Sequence, residues 1–420
     1  MWPFSGHEYS LLPTGMDRKG QSFFSARWAK LLLLTVCLLV ILAIGAFMNP
    51  TAVTTDVAAP AAPKAGPKVS MGEEGGHPAK AATGEAAKAI VRPEYLPVVN
   101  VKEKEKFAYL IWLSNAPEKD TENFDEDDYF VACRVLIWQL LHDPKTKASP
   151  DIDVVVMAGP QVGDSHRERL RKDGAIVQGV TVPHGKNDTW IVPKESRWGD
   201  IMGKLRAWEM TQYSRILMLD GDMLLQSPLD DIFHDSEAKL MQTKPDVGHK
   251  DDEPTLPDEY LLCSFMELQG LKHDWPPSDR GRFPGYFNAG FFMLKPNKTI
   301  FDYYVGLLDL QYRFSPEYME QNLLNYAHRW DGAMPWKEIP GKWNTKFTSE
   351  EDLKGGVVSM HEKFWKLRSG GKGLIRFVES KRWQAEGYWL AERDAERKEA
   401  ERKEAERKKG EGKDGKTKET

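Results

Sequence analysis

A chain of 420 residues with a formal net charge of −5 has room for two or three average domains. Its 58 basic and 63 acidic residues leave no basic excess, which argues against a nucleic-acid partner. Three cysteines, one of them within an apolar run, are too scattered for a zinc site. They leave Cys133 and Cys263 to form one disulfide or none.

In chain order, residues 1–30 carry Arg18, Lys19, Arg27 and Lys30 ahead of "LLLLTVCLLVILAIGAFM" (31–48), in which only Thr35 is polar. That run is just long enough to span a hydrocarbon core as a helix. A cleaved signal peptide, the competing reading, has a shorter apolar region. No Lys or Arg follows until Lys64, so the positive-inside rule puts 1–30 in the cytosol and the bulk of the chain in a lumen. A short span suits early secretory membranes, and the expectation is a single-pass type II protein of the Golgi membrane. Residues 49–104 are rich in Ala, Pro, Gly and Lys and read as a flexible, disordered stem.

From 105 to 388 strand-like and helix-like patterns alternate. "FAYLIWLS" (107–114), "DIDVVVMAG" (151–159), "AIVQGVTV" (175–182) and "RILMLD" (215–220) are strand candidates. Between them, helices are predicted over 127–143, 164–175 and 200–213, the last with Ile201, Leu205 and Trp208 on one face. Apolar strands separated by helices imply an α/β, Rossmann-like, mainly parallel sheet with flanking helices. The stretch 234–258 reads as a long surface loop. Residues 389–420 repeat an Ala-Glu-Arg unit with no apolar stripe, so they predict a solvated helix fraying into disorder.

Asp220 and Asp222 close the fourth strand, where open parallel sheets bind ligands. Residues i and i+2 of an extended segment point the same way, so both carboxylates can face one cation, with Gly221 as clearance. An Asp-Gly hairpin competes, but the return strand would be short. An EF-hand loop fails because its fifth and sixth positions would be Leu224 and Leu225. A phosphohydrolase of the haloacid-dehalogenase type would want Thr or Val at Met223 and a later acidic pair than Asp230-Asp231.

The flanking residues favour a third reading. "GKLRAWEMTQYSRILMLDGDMLLQSPLDDIF" (203–233), "GYFNAGFFMLKPN" (285–297), "PEYMEQNLLNYAHR" (316–329) and "VVSMHEKFWKL" (357–367) occur in the order of the blocks of glycosyltransferase family 8, the glycogenin-like family. The chain resembles that family over roughly 107–366, and its fungal Golgi members more than glycogenin. The resemblance implies a GT-A domain at 105–388 that moves glucose, galactose or N-acetylglucosamine from a UDP-sugar to a glycan or glycoprotein, with retention of configuration. It implies Mn²⁺, or Mg²⁺ in its place, on Asp220, Asp222 and His361. It further implies Lys204, Arg197, Asn288, Gly290 and Lys363 (with Lys366 the alternative) around the donor, Ser114 and Asn115 near the uridine, and Glu320 and Gln321 at the reacting centre. Gln321 is an amide, which suits a front-face departure of UDP better than a covalent intermediate. A catalytically silent partner that only binds sugar nucleotides is the rival. Trp275, Trp330, Trp336 and Trp343 are expected in the core. The sequons at Asn187 and Asn297 fit lumenal exposure.

Overall fold

The computed structural model describes residues 71–72, 77–78, 90–98, 105–114, 124, 127–270, 273–367 and 371–414. The apolar run at 31–48, most of the stem, Asn115 and residues 415–420 lie outside the described residues. No helix among the described residues is long and apolar enough to cross a membrane.

Strand β1 (Phe107–Leu113) is an unbroken aliphatic and aromatic run, buried along six of its seven positions, as a strand covered on both faces must be. It pairs in parallel with β2 (Ile152–Ala158) and β4 (Arg215–Asp220), and β2 pairs in parallel with β3 (Ile176–Gly179). Between them run α1 (Asp128–Leu141) and α2 (Asp164–Lys172). The sheet continues through β6 (Leu262–Leu268), β7 (Arg282–Leu294) and β8 (Lys337–Glu338) in the order β3-β2-β1-β4-β7-β6-β8. Strand β7 is antiparallel to both neighbours, so the expected mainly parallel α/β sheet is a mixed one. One face packs Trp208, Tyr304 and Leu307, and the other packs Phe130, Cys133 and Phe233. Cys133 and Cys263 are both free thiols, and both are buried.

The segment expected as an α-helix over 200–213 is a 3-10 helix, Ile201–Glu209. Its apolar residues recur every three positions, Met202, Leu205 and Trp208, and all three are buried. A three-residue winding stacks that set on the core and turns Ile201 and Lys204 to a different face. Gly203 allows this, because a Cβ there would lie 2.7 Å from the Trp112 ring.

After β4 the chain does not fold back as a hairpin. Strand β5 (Met223–Leu225) joins a separate three-stranded sheet with β9 (Asn344–Lys346) and β10 (Ser359–His361). β10 runs antiparallel to β5 with His361 opposite Met223. The 139-residue interval between Asp222 and His361 is closed by that register.

Three boundaries differ from the sequence expectations. Residues 90–98, inside the expected stem, make ordered contacts: Arg92 pairs with Asp279 at 2.8 Å and Glu338 at 2.6 Å, and the Tyr95 hydroxyl donates to the Trp336 carbonyl. The 234–258 stretch docks through the buried Glu253, which accepts from Tyr303 at 3.0 Å and from Tyr326. At the other end α5 (Lys372–Asp414) crosses residue 388 without a break. Its Leu374, Val378, Ala385 and Trp389 pack on Val131, Val135 and Trp138 of α1. The Arg134 guanidinium lies 3.8 Å over the Trp389 ring, so packing ends at Trp389. Beyond it the helix is laced by exposed pairs such as Arg402–Glu406 at 3.5 Å. Trp336 and Trp343 are core residues as expected.

Helices α3 (Lys298–Leu308) and α4 (Met319–Ala327) meet at His328, fully buried between the Tyr304 hydroxyl and the Met334 carbonyl, 2.8 Å from Nδ1. Burial pushes this imidazole down to about 3, so it is neutral in the folded state. The unfolded chain protonates it below about pH 6.5 while the folded one does not, so its contribution to stability is complete above pH 6.5 and is lost as pH falls. By pH 5 this one group is expected to cost about 2 kcal/mol of unfolding free energy. Urea titrations at pH 7 and pH 5 should show that loss in the wild type and a shallower one in His328→Gln.

Candidate functional site

The C-terminal ends of β1 and β4 open into a cleft of about 270 Å³. Ser114, Arg197, Lys204, Asp220, Asp222, Asn288, Gly290, Glu320, Gln321, His361, Lys363 and Lys366 all line it. Asn115 alone of the sequence-derived site residues lies outside the described residues.

Asp220 ends β4, and Asp222 follows two residues on, in the turn that leads into β5. His361 Nε2 lies 3.0 Å from Asp222 Oδ1 and 3.7 Å from Asp220 Oδ2. One ligand atom from each of the three lies within 4.8 Å of the others, the only such group among the described residues. Burial works to raise the Asp222 carboxyl, but His361, and after it Lys363, hold it well below the usual carboxylate range. Burial likewise works to lower His361, and Asp222 followed by Asp220 holds it above the ordinary imidazole value. Two carboxylate oxygens and one imidazole nitrogen in a shielded cluster are a donor set that fits a divalent transition metal such as Mn²⁺. The fit also depends on Gly290, where a Cβ would lie 2.6 Å from both Asp220 Oδ2 and His361 Cε1. Gly221, read from sequence as clearance for the cation, is packed instead toward Cys133 and the Trp112 carbonyl, both 3.3 Å from an added Cβ. The clearance sits at Gly290.

Lys204 is buried to 1% exposure and serves two carboxylates, Asp220 at 2.7 Å and Glu320 at 3.1 Å. It also donates to the Ala289 carbonyl at 3.2 Å. Burial works to lower its pKa, but the two anions outweigh that and keep the ammonium charged well above the ordinary lysine value. Glu320 shares this one ammonium with Asp220. Burial therefore prevails, and its carboxyl is pushed up to about 7.

Gln321 is held at both ends of its amide. Its Oε1 accepts from the Ala289 N–H at 3.0 Å and from Asn288 Nδ2 at 3.3 Å, while its Nε2 donates to the Tyr286 hydroxyl at 2.9 Å. Asn288 in turn donates to the buried Glu267 at 2.7 Å and accepts from the Gly290 N–H at 2.9 Å. At the other end Ser114 donates to the buried Asp200, and Arg197 donates to the Tyr129 hydroxyl at 2.6 Å. Lys363 Nζ stands 5.5 Å over the Tyr129 ring.

Several lining residues escaped the sequence reading. Tyr129 comes from the start of α1, just after an acidic stretch, and Trp112 comes from the end of β1. Trp198, Tyr318, Met319, Lys346, Phe347 and Glu362 complete the wall. Met319 and Phe347 have φ of 42° and 59°, in a region that non-glycine residues enter at a cost, and both lie in the cleft. Glu362 is buried and accepts from the Thr348 N–H, which ties the end of β10 to the turn after Phe347.

Such a sheet, with a paired carboxylate at the end of β4 and a distant histidine brought to it, defines a GT-A-like mixed α/β architecture. No family model matches the chain. It is 30% identical over 275 residues to an uncharacterized protein of Schizosaccharomyces pombe, covering 58% of this chain and 71% of that one. A second uncharacterized protein of that yeast is 30% identical over 268 residues, covering 57% of this chain and 69% of its own length. Galactinol synthase 1 of Solanum lycopersicum is 29% identical over 206 residues, 47% of this chain and 56% of that enzyme. Among solved structures, the galactosyltransferase LgtC with donor and acceptor sugar analogs overlaps 65% of this chain and 95% of its own at a TM-score of 0.35 and 14% identity. The chain is thus similar to two uncharacterized yeast proteins over more than two thirds of their length and to galactinol synthases over about half of theirs.

Proposed function

We propose that the protein transfers glucose, galactose or N-acetylglucosamine from a UDP-sugar to a glycan or glycoprotein acceptor, with retention of configuration and with Mn²⁺ on Asp220, Asp222 and His361. The observation that carries this reading is the meeting of those three side chains beside Lys204, Glu320 and Gln321 in one cleft. When bound, the cation supplies Lewis-acid stabilisation of the charge left on UDP. Lys363, Lys366 and Arg197 line the same cleft and offer positive charge to a diphosphate. Lys204 keeps Asp220 in place, so the pair at the end of β4 is pre-set before any ligand arrives. Gln321 has both lone-pair directions of its carbonyl engaged by Ala289 and Asn288. It is therefore a rigid positioning and electrostatic group rather than a nucleophile, which favours front-face departure of UDP over a covalent sugar–enzyme bond.

A type II anchor at 31–48 in a Golgi membrane, with the cleft lumenal, completes the proposal and rests on the basic flank before that run. Purified full-length protein with Mn²⁺ is expected to release UDP from one of UDP-glucose, UDP-galactose and UDP-N-acetylglucosamine, and to stop when the metal is chelated. Failure to bind any of the three would refute the reading.

A further inference from the structure

We propose that Asn187 carries an N-linked glycan and that Asn297, the other Asn-X-Thr acceptor, does not, so that the folded chain bears one oligosaccharide. The proposal rests on the lumenal placement of the cleft given above and not on which sugar the cleft transfers. In the sequence alone Asn187-Asp-Thr and Asn297-Lys-Thr are equivalent acceptors. The fold separates them.

Asn187 lies in the connection between β3 and the 3-10 turn Ser196–Trp198, and both Asn187 and Thr189 are exposed. The connection is held by groups other than the Asn187 side chain. The Asn187 N–H donates to Asp309 Oδ1 at 2.6 Å, just past the end of α3. Asp188, the middle residue of the triplet, turns back to accept from the Gly185 N–H at 3.0 Å and lies 2.9 Å from His184 Nδ1. The Ile191 N–H donates to the Asp188 carbonyl at 2.9 Å, and Trp190 Nε1 donates to the Leu308 carbonyl at the same distance. The chain is thus pinned on both sides of an exposed acceptor, and surface display is what a bulky, solubilising modification requires. Residues 184–191 are not among those that line the cleft, so the attachment point is outside it.

Asn297 is placed differently. It is half-buried, follows the buried Pro296, and forms the N-cap of α3, its Oδ1 accepting from the Thr299 N–H at 2.8 Å. Lys298 is tied to Asp302 at 2.8 Å, and Ile300 and Phe301 of the same turn are buried in the core. Entry into a modifying enzyme's site requires a triplet to leave its own fold. At Asn297 that breaks the cap and unwinds the first turn of a docked helix, whereas at Asn187 it disturbs only an exposed turn. A glycan added before folding meets the other obstacle, since α3 then has to dock with its cap residue half-buried.

In the modification, Asn187 Nδ2 attacks the anomeric carbon of an oligosaccharide carried on a lipid diphosphate. The C–N bond forms, the C–O bond to the diphosphate breaks with its electron pair, and the amide gives up one proton. No oxidant or reductant is needed.

The test is expression of the full-length protein in a eukaryotic host, with gel mobility read before and after peptide N-glycosidase digestion. The wild type should shift by the mass of one glycan, and mass spectrometry should find the aspartate that digestion leaves in place of Asn187 and an unmodified Asn297. Asn187→Gln and Thr189→Ala should each abolish the shift, Thr189→Ser should keep it, and Asn297→Gln should leave the wild-type pattern. Both abolishing variants retain the main-chain bond to Asp309, so loss of the shift does not depend on loss of the fold. A shift that survives Asn187→Gln, or a glycan found on Asn297, overturns the proposal. Protease protection in intact microsomes reports on topology alone. A protected but unglycosylated protein overturns the proposal and keeps the lumenal reading, while a digested one removes both. UDP release is a separate assay, so the transferase reading stands or falls without reference to the glycan.

Discussion

Asp222→Asn is expected to lower kcat/KM for the preferred UDP-sugar by about 10²–10³-fold, the loss seen when one electrostatic group is removed from a preorganised site. The amide keeps the shape of the side chain and one oxygen, but it removes the charge that faces His361 at 3.0 Å. The histidine, now held up only by Asp220 at 3.7 Å, should return toward its ordinary pKa. Mn²⁺ affinity should fall with activity, measured by electron paramagnetic resonance of the free ion. Stability of the metal-free protein should change by no more than about 1 kcal/mol, because losing the His361 pair is offset by removing a buried charge that stands beside the Asp220 carboxylate. The contrast between a large kinetic effect and a small thermodynamic one is diagnostic. An Asp222→Asn enzyme with wild-type turnover and wild-type Mn²⁺ affinity would remove Asp222 from the metal site.

The parts of the site that could be read from the sequence are those fixed by local pattern. The run Arg215–Asp220 declares itself a buried strand, and the two carboxylates at its end break that pattern for a chemical reason. His361 could be inferred only from its place in the fourth block; what brings it to Asp222 is the antiparallel pairing of β10 with β5. That pairing also disposes of the hairpin alternative, since β5 finds its partner in β10 and not in β4. The clearance at Gly290 was invisible for the same reason, because its neighbours Asp220 and His361 are far away in sequence. The 3-10 winding of Ile201–Glu209 is not separable from an α-helix in sequence, because Leu205 and Trp208 fit both a three-residue repeat and a 3.6-residue one. Tyr318 and Met319 carry no sequence signal beyond membership in a matched block. One shows its place through a ring packed beside Trp198, the other through a positive φ. At the C-terminus, the charged repeat begins at Ala391, only two residues past Trp389, so the sequence pattern draws Trp389 into the solvated part although it stacks on Arg134.

Lys204→Met is expected to have the largest effect on stability of any single substitution in the cleft. The thioether fills much of the same volume, so the cost is electrostatic rather than a cavity. It leaves Asp220 and Glu320, formerly 2.7 and 3.1 Å from the ammonium, without their shared cation. Breaking a buried ion pair by removing one partner costs about 3–5 kcal/mol, because the charge left behind is uncompensated. Glu320 is already pushed up to about 7 with the lysine present, so without it the carboxyl should be protonated at neutral pH. Urea unfolding at pH 7 should show the loss as a lower midpoint with an unchanged slope. Adding Glu320→Gln to Lys204→Met replaces a carboxyl that must take up a proton to stay buried with an amide that need not, and should restore about 1–3 kcal/mol, a coupling typical of residues within one buried network. Asp220 still faces the apolar methionine in the double variant, so recovery should be incomplete, and turnover should stay low in both because the carboxylate at the end of β4 has lost its anchor. Additive effects of the two substitutions would mean that Lys204 stabilises the cleft by packing alone.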